Sequence, residues 1–151
     1  MNGKKWNGKG YNKKGDVEFE IKDGKGNAKE YDYYDKLLFE GEYLNEEING
    51  IGKTYYKNGK LEFEGGFLNG ERNGIGKEYN EKGNLEFVGE YLNGEKNGKG
   101  IEYNKYGKLI YKGEYLNGER NGKGKEYNVH GELEFVGEFL NGKRWNAKEY
   151  V

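Results

Sequence analysis

At 151 residues the chain has the length of one domain, yet only 32% of it is hydrophobic, 35% is charged and the mean hydropathy is -1.23, a balance that would mean disorder in an aperiodic chain. Its 26 basic and 27 acidic residues leave a formal charge of -1 and alternate in sign, which excludes a built-in electrostatic attraction to nucleic acid or an anionic bilayer. With no Cys there are no disulfides or thiolate sites, and no apolar run is long enough for a transmembrane helix or signal peptide, so a soluble, cytoplasmic protein is expected.

Two features oppose disorder. Aromatic residues make up 16% of the chain and recur at fixed positions, and 28 Gly with no Pro suit tight turns and uninterrupted strands. The N-terminal 36 residues carry degenerate copies of a motif. Lys5 to Tyr11 matches the second half of a unit with Trp6 added, and Val17-Glu18-Phe19-Glu20 restarts the pattern. The segment from Ile21 to Gly26 looks too short for a full turn, and Asp35 stands where later units place Gly.

Four complete 24-residue units follow, beginning at Leu37, Leu61, Leu85 and Leu109, and a partial unit begins at Leu133. Self-similarity at this period marks a repeat architecture, in which a supersecondary unit buries its apolar face against its own copies. The organisation read from this is one repeat domain over 1–151, with 1–36 and 133–151 as atypical caps. Trp6 and Trp145 occupy equivalent places at the two ends and are expected to cover the terminal aromatic surface.

Within the unit from Leu61, the residues Leu61, Phe63, Gly65 and Phe67 share one face of an extended segment, with Glu62, Glu64 and Gly66 on the other. Asn69 to Asn73 is rich in turn formers, Gly74 to Asn80 returns as a second strand, and Glu81 to Asn84 turns again with Gly83 at positive φ. Each unit is therefore a β-hairpin, and the predicted fold is all-β, an elongated, twisted, single-layer antiparallel sheet of tandem hairpins. Gly65, Gly74, Gly76 and their copies Gly89, Gly98 and Gly100 leave room for rings to lie flat on the backbone.

Catalysis has little to work with. Nucleophilic schemes lack Ser and Cys, and the single His, His130, falls in a turn whose sister positions hold Asn58, Lys82 and Tyr106. Asp23, Asp32 and Asp35 lack the spacing of a calcium loop, and the Gly-x-Gly runs at 74, 98 and 122 precede no helix to receive phosphate. The expectation is a non-enzymatic chain that needs no cofactor and no metal.

The pattern Phe63-x-Gly65-x-Phe67-x-x-Gly70-x-x-x-Gly74-x-Gly76 resembles the MORN repeat (membrane occupation and recognition nexus), with Glu90, Glu114 and Glu138 in the acidic place of other copies. The second aromatic is Tyr or Phe instead of the family's common Trp, the unit is one residue longer, and Glu46 stands in place of Gly70. The resemblance implies an array of hairpins that binds proteins, scaffolds at membranes or cytoskeleton, or binds phosphoinositides, any catalysis belonging to a separate domain.

Two rows of rings are candidates for core or contact. Phe39, Phe63, Phe87, Tyr111 and Phe135 are read as core. Tyr43, Phe67, Tyr91, Tyr115 and Phe139 are expected to be partly exposed as an aromatic groove for a protein partner or a second copy, as is a stripe of Leu44, Leu68, Leu92, Leu116 and Leu140 on the other face. The second reading is a peripheral membrane module that contacts phosphoinositide headgroups through turn-borne Arg72, Lys96, Arg120, Lys143 and Arg144. A third is a purely architectural array. No nucleic-acid partner is expected.

Overall fold

The computed structural model describes residues 7–12, 14–15 and 17–147. These form thirteen strands and no helix, in a single sheet whose spatial order is the chain order. The first three strands are β1 (Gly8–Tyr11), β2 (Val17–Lys22) and β3 (Lys25–Tyr31). The full units follow as hairpins: β4 (Leu37–Leu44) with β5 (Glu47–Tyr55), β6 (Leu61–Leu68) with β7 (Glu71–Tyr79), β8 (Leu85–Leu92) with β9 (Glu95–Tyr103), and β10 (Leu109–Leu116) with β11 (Glu119–Tyr127). The last hairpin is β12 (Leu133–Leu140) with β13 (Lys143–Ala147). At ~4.8 Å per strand the sheet advances roughly 10 Å per unit.

The turn at the end of each first strand is shorter than the composition suggests. Asn69 and Gly70 alone make it, with φ of 50° and 82°, and the pair recurs at Asn93–Gly94, Asn117–Gly118 and Asn141–Gly142. Two consecutive positive φ values define the tight turn whose twist matches that of the flanking strands. The same turn closes β2 onto β3 through Asp23 and Gly24, so Ile21 to Gly26 does complete a hairpin. Successive turns are also tied together, since the Gly94 N–H donates to the Arg72 carbonyl at 2.9 Å and Gly118 repeats this on Lys96.

Two irregularities then set which side chain faces where. Gly65 pairs with Gly76 but Phe67 pairs with Arg72, so Asn73, Gly74 and Ile75 bulge opposite the single residue Gly66. Gly74 takes φ of 83° to make this bulge and touches no ring, which corrects its expected packing role. A second shift lies between Thr54–Phe63 and Tyr55–Leu61, which leaves Glu62 as an extra residue. Glu62 consequently turns to the aromatic side, where it accepts from the Thr54 hydroxyl and meets Arg72, instead of sharing the far face with Glu64.

Across the middle of the sheet runs a row without side chains. Gly41, Gly52, Gly65, Gly76, Gly89, Gly100, Gly113, Gly124 and Gly137 pair in succession from β4 to β12. Rings lie directly on this row, and a methyl group on Gly100 would come within 2.5 Å of Phe87 and 2.9 Å of Tyr115.

Candidate functional site: two unequal faces

On the first face, both rows of rings interlock. Tyr43, Phe39, Phe67, Phe63, Tyr91, Phe87, Tyr115, Tyr111, Phe139 and Phe135 form an unbroken edge-to-face zigzag, with centroids 5.0–5.8 Å apart and interplanar angles of 78–88°. Each such contact adds roughly 0.5–1.5 kcal/mol beyond its buried area. The expected exposure of the second row is therefore corrected. Phe67, Tyr91, Tyr115 and Phe139 are only 3–8% exposed, and Tyr43 is half-buried. Phe67, Tyr91, Tyr115 and Phe139 each bridge first-row rings of two units, which is how a single layer acquires an inner layer at all.

The cations expected to project from turns instead roof this ladder. Arg72, Lys96 and Arg120 each sit 4.3 Å from the centroid of Phe63, Phe87 and Tyr111, and Arg144 lies 5.0 Å from Phe135. All four lie within strands, because the turn ends three residues earlier than its composition implied. Carboxylates of the same unit and of the preceding unit hold them. Glu78 pairs with Arg72 at 3.3 Å and Lys96 at 3.2 Å, while Glu126 pairs with Arg120 at 3.0 Å and Arg144 at 2.6 Å. Arg120 also reaches Glu102, and Arg144 reaches Glu134 at 2.7 Å. Burial pushes the Glu78 carboxyl up, but Lys96, the Tyr91 hydroxyl and Arg72 outweigh this and hold it below the usual range. Lys143, at the start of β13, is exposed.

Trp145 does not close the ladder. It is 70% exposed, because Phe139 pairs with Arg144 and Glu138 with Asn146, leaving Trp145 as the unpaired bulge residue of β13. Trp6 lies outside the described residues.

The hydroxyls of the second row are unequal. Tyr91 donates to Glu78 at 3.0 Å, whereas the buried Tyr115 hydroxyl makes no well-formed hydrogen bond among the described residues, although Glu102, which Arg120 engages, lies beside it. Tyr115→Phe is accordingly expected to be neutral or to stabilise by up to about 1 kcal/mol, while Tyr91→Phe costs about 0.5–1.5 kcal/mol by stripping a hydrogen bond from Glu78. Urea melts of the two variants check this, and equal losses would contradict it.

The opposite face is built differently. Glu42, Glu90 and Glu114 bend back over the bulges and accept the main-chain N–H of Ile51, Lys99 and Lys123, at 2.5, 2.5 and 2.7 Å. This structural use of the acidic position was not foreseen, although its recurrence after Gly41, Gly89, Gly113 and Gly137 was the available signal. Gly66 occupies the same place in the second full unit, and there Ile51 and Ile75 stand 64% and 63% exposed. Leu68, Leu92, Leu116 and Leu140 are 42–50% exposed. Over β8 to β13 the glycine row forms the floor of a groove of about 790 Å³, lined by Val88, Ile101, Val136, Tyr127 and several lysines. Among the described residues no group of His, Cys, Asp or Glu is arranged to hold a metal ion, and no helix is long and apolar enough to cross a membrane.

An open sheet of stacked hairpins, with one face sealed by its own rings and ion pairs, defines a tandem-repeat β-hairpin array. The MORN repeat family matches at residues 39–60, 63–85, 87–105 and 111–129, more than half of the chain, and the chain belongs to this family. Repeats of this family are non-enzymatic modules that mediate contacts with proteins and membranes. No curated protein matches the chain significantly.

Proposed function

We propose that the array is a non-enzymatic protein-interaction module whose contact surface is the face opposite the aromatic ladder. The contrast between the two faces supports this reading. The ladder is covered by ring-stacked cations whose carboxylate partners lie in the chain itself, while the other face leaves aliphatic side chains exposed beside a groove. Tyr43, Phe67, Tyr91, Tyr115 and Phe139 then serve the partner indirectly, by fixing the twist and spacing of the strands beneath it. Phosphoinositide recognition loses support, because Arg72, Lys96, Arg120 and Arg144 would have to abandon both rings and carboxylates to meet a headgroup.

Selection of binders from a displayed random peptide library against the purified chain tests this. Val88→Glu with Ile101→Lys recreates the Glu64–Lys77 pattern of an earlier unit and keeps the fold. Binding of the selected peptides is expected to fall at least tenfold in that variant and to persist in Arg144→Glu. The reverse pattern would assign recognition to the aromatic face.

A further inference from the structure

One row of the open face changes character along the array. Reading across the strands, its register partners are Glu40, Lys53, Glu64 and Lys77, then Val88, Ile101, Lys112, Lys125 and Val136. The first part is self-satisfied. Lys77 lies 3.6 Å from Glu64, and the hydroxyls of Tyr55 and Tyr79 donate to Glu40 and Glu64 at 2.5 and 2.7 Å. In the later units Val88 and Lys112 replace those glutamates, so Tyr103 and Tyr127 lose the equivalent acceptor. Lys112 and Lys125 are left directly opposite one another, an arrangement of like charges that destabilises a sheet.

Neighbouring acids do not neutralise the pair fully. Glu114 directs a carboxylate oxygen to the Lys123 N–H, Glu138 faces Lys123 across the β11–β12 ladder, and Lys99 adds a further cation to the groove. The surface over β8 to β12 is thus a cationic centre flanked by aliphatic residues on both sides. It spans about 19 Å at the usual strand spacing.

We propose that this part of the open face binds an acidic peptide segment, whose carboxylate lies between Lys112 and Lys125 and whose aliphatic side chains cover Val88, Ile101 and Val136. The inference rests on the reading of this face as a protein-binding surface and adds the chemistry of the partner. Charge complementarity selects the occupant. The flanking Val88, Ile101 and Val136 favour a peptide with apolar residues on either side of an acid over a headgroup, which would satisfy the lysines alone. The unfavourable lysine pair is then a feature retained for binding, because Lys112→Glu would restore the Glu64–Lys77 arrangement and give Tyr127 an acceptor.

The test uses peptides selected on the full chain. Expected are sequences with Asp or Glu between aliphatic residues, bound at least tenfold more weakly by Lys112→Glu with Lys125→Glu, with affinity falling as salt rises. Lys112→Glu alone is expected to weaken binding while raising Tm by about 1–3 °C. Selected peptides without acids, or affinities unchanged by charge reversal, would overturn the proposal. If those same peptides were still lost in Val88→Glu with Ile101→Lys, the face would stand and only the partner chemistry would fall. Charge-sensitive binding to vesicles containing phosphatidylinositol 4,5-bisphosphate, not competed by the peptides, would overturn it in favour of lipid.

Discussion

Gly89→Ala is expected to lower stability by about 3 kcal/mol or more, among the largest single losses available in this chain. A methyl group at this position would lie 2.6 Å from the Lys99 carbonyl oxygen, 2.6 Å from Cζ of Phe87 and 2.7 Å from Cα of Gly100. Two of those three neighbours are backbone of the adjacent strand, so relief requires prying β8 from β9 and lifting Phe87 away from the glycine row. Conformational strain contributes nothing here, since Gly89 does not adopt positive φ. Gly94→Ala is the matched control. It has φ of 84° and open space around it, so only the left-handed backbone opposes the change, at about 1 kcal/mol. Urea melts should separate the two variants clearly. Equal losses would mean that the rings do not lie on the row as described.

Alkaline unfolding is the second large effect. Burial pushes the Tyr111 hydroxyl up to about 12, and it raises Tyr91 and Tyr115 further, with Glu78 and Glu102 adding to the shift beside them. A phenol whose folded pKa exceeds its unfolded value of 10 contributes stability that is intact below pH 10. That contribution is lost as pH rises through the folded value, because the unfolded chain then sheds protons the folded chain retains. For these three buried rings the loss at pH 11 is about 3–4 kcal/mol in total. The expected result is a cooperative transition above pH 10, in which tyrosinate absorbance and loss of strand circular dichroism coincide. Gradual tyrosine titration with the sheet intact would contradict the buried ladder. The second-row positions of Phe67 and Phe139 show that the hydroxyl is dispensable there.

The sequence carried the architecture because its signals were periodic. Leu61, Leu85 and Leu109 fixed the unit, the alternation through Phe63, Gly65 and Phe67 fixed the inner face, and Gly83 marked the turn between units. Side-chain direction beyond Phe67 was not legible, because alternation holds only while pairing is regular. The bulge at Asn73 to Ile75 changes the register, and it places Arg72 over Phe63 when composition put that residue in a solvated turn. The same parity change at Glu62 moved an acid onto the ring side. Burial of Tyr91 and Tyr115 was hidden for another reason. Each is covered by rings and cations from neighbouring units, a contact that no single repeat contains. For this reason Tyr91→Ala and Tyr115→Ala would report loss of folding, not loss of a partner.

The division of labour between the faces is the core of the account. Its most direct test is to follow the methyl signals of Val88, Ile101 and Val136 and the ring signals of Phe63, Phe87 and Tyr111 by NMR during titration with a selected peptide. The methyls are expected to shift in proportion to occupancy while the rings stay in place. Ring shifts with silent methyls would place the partner on the aromatic face and contradict it.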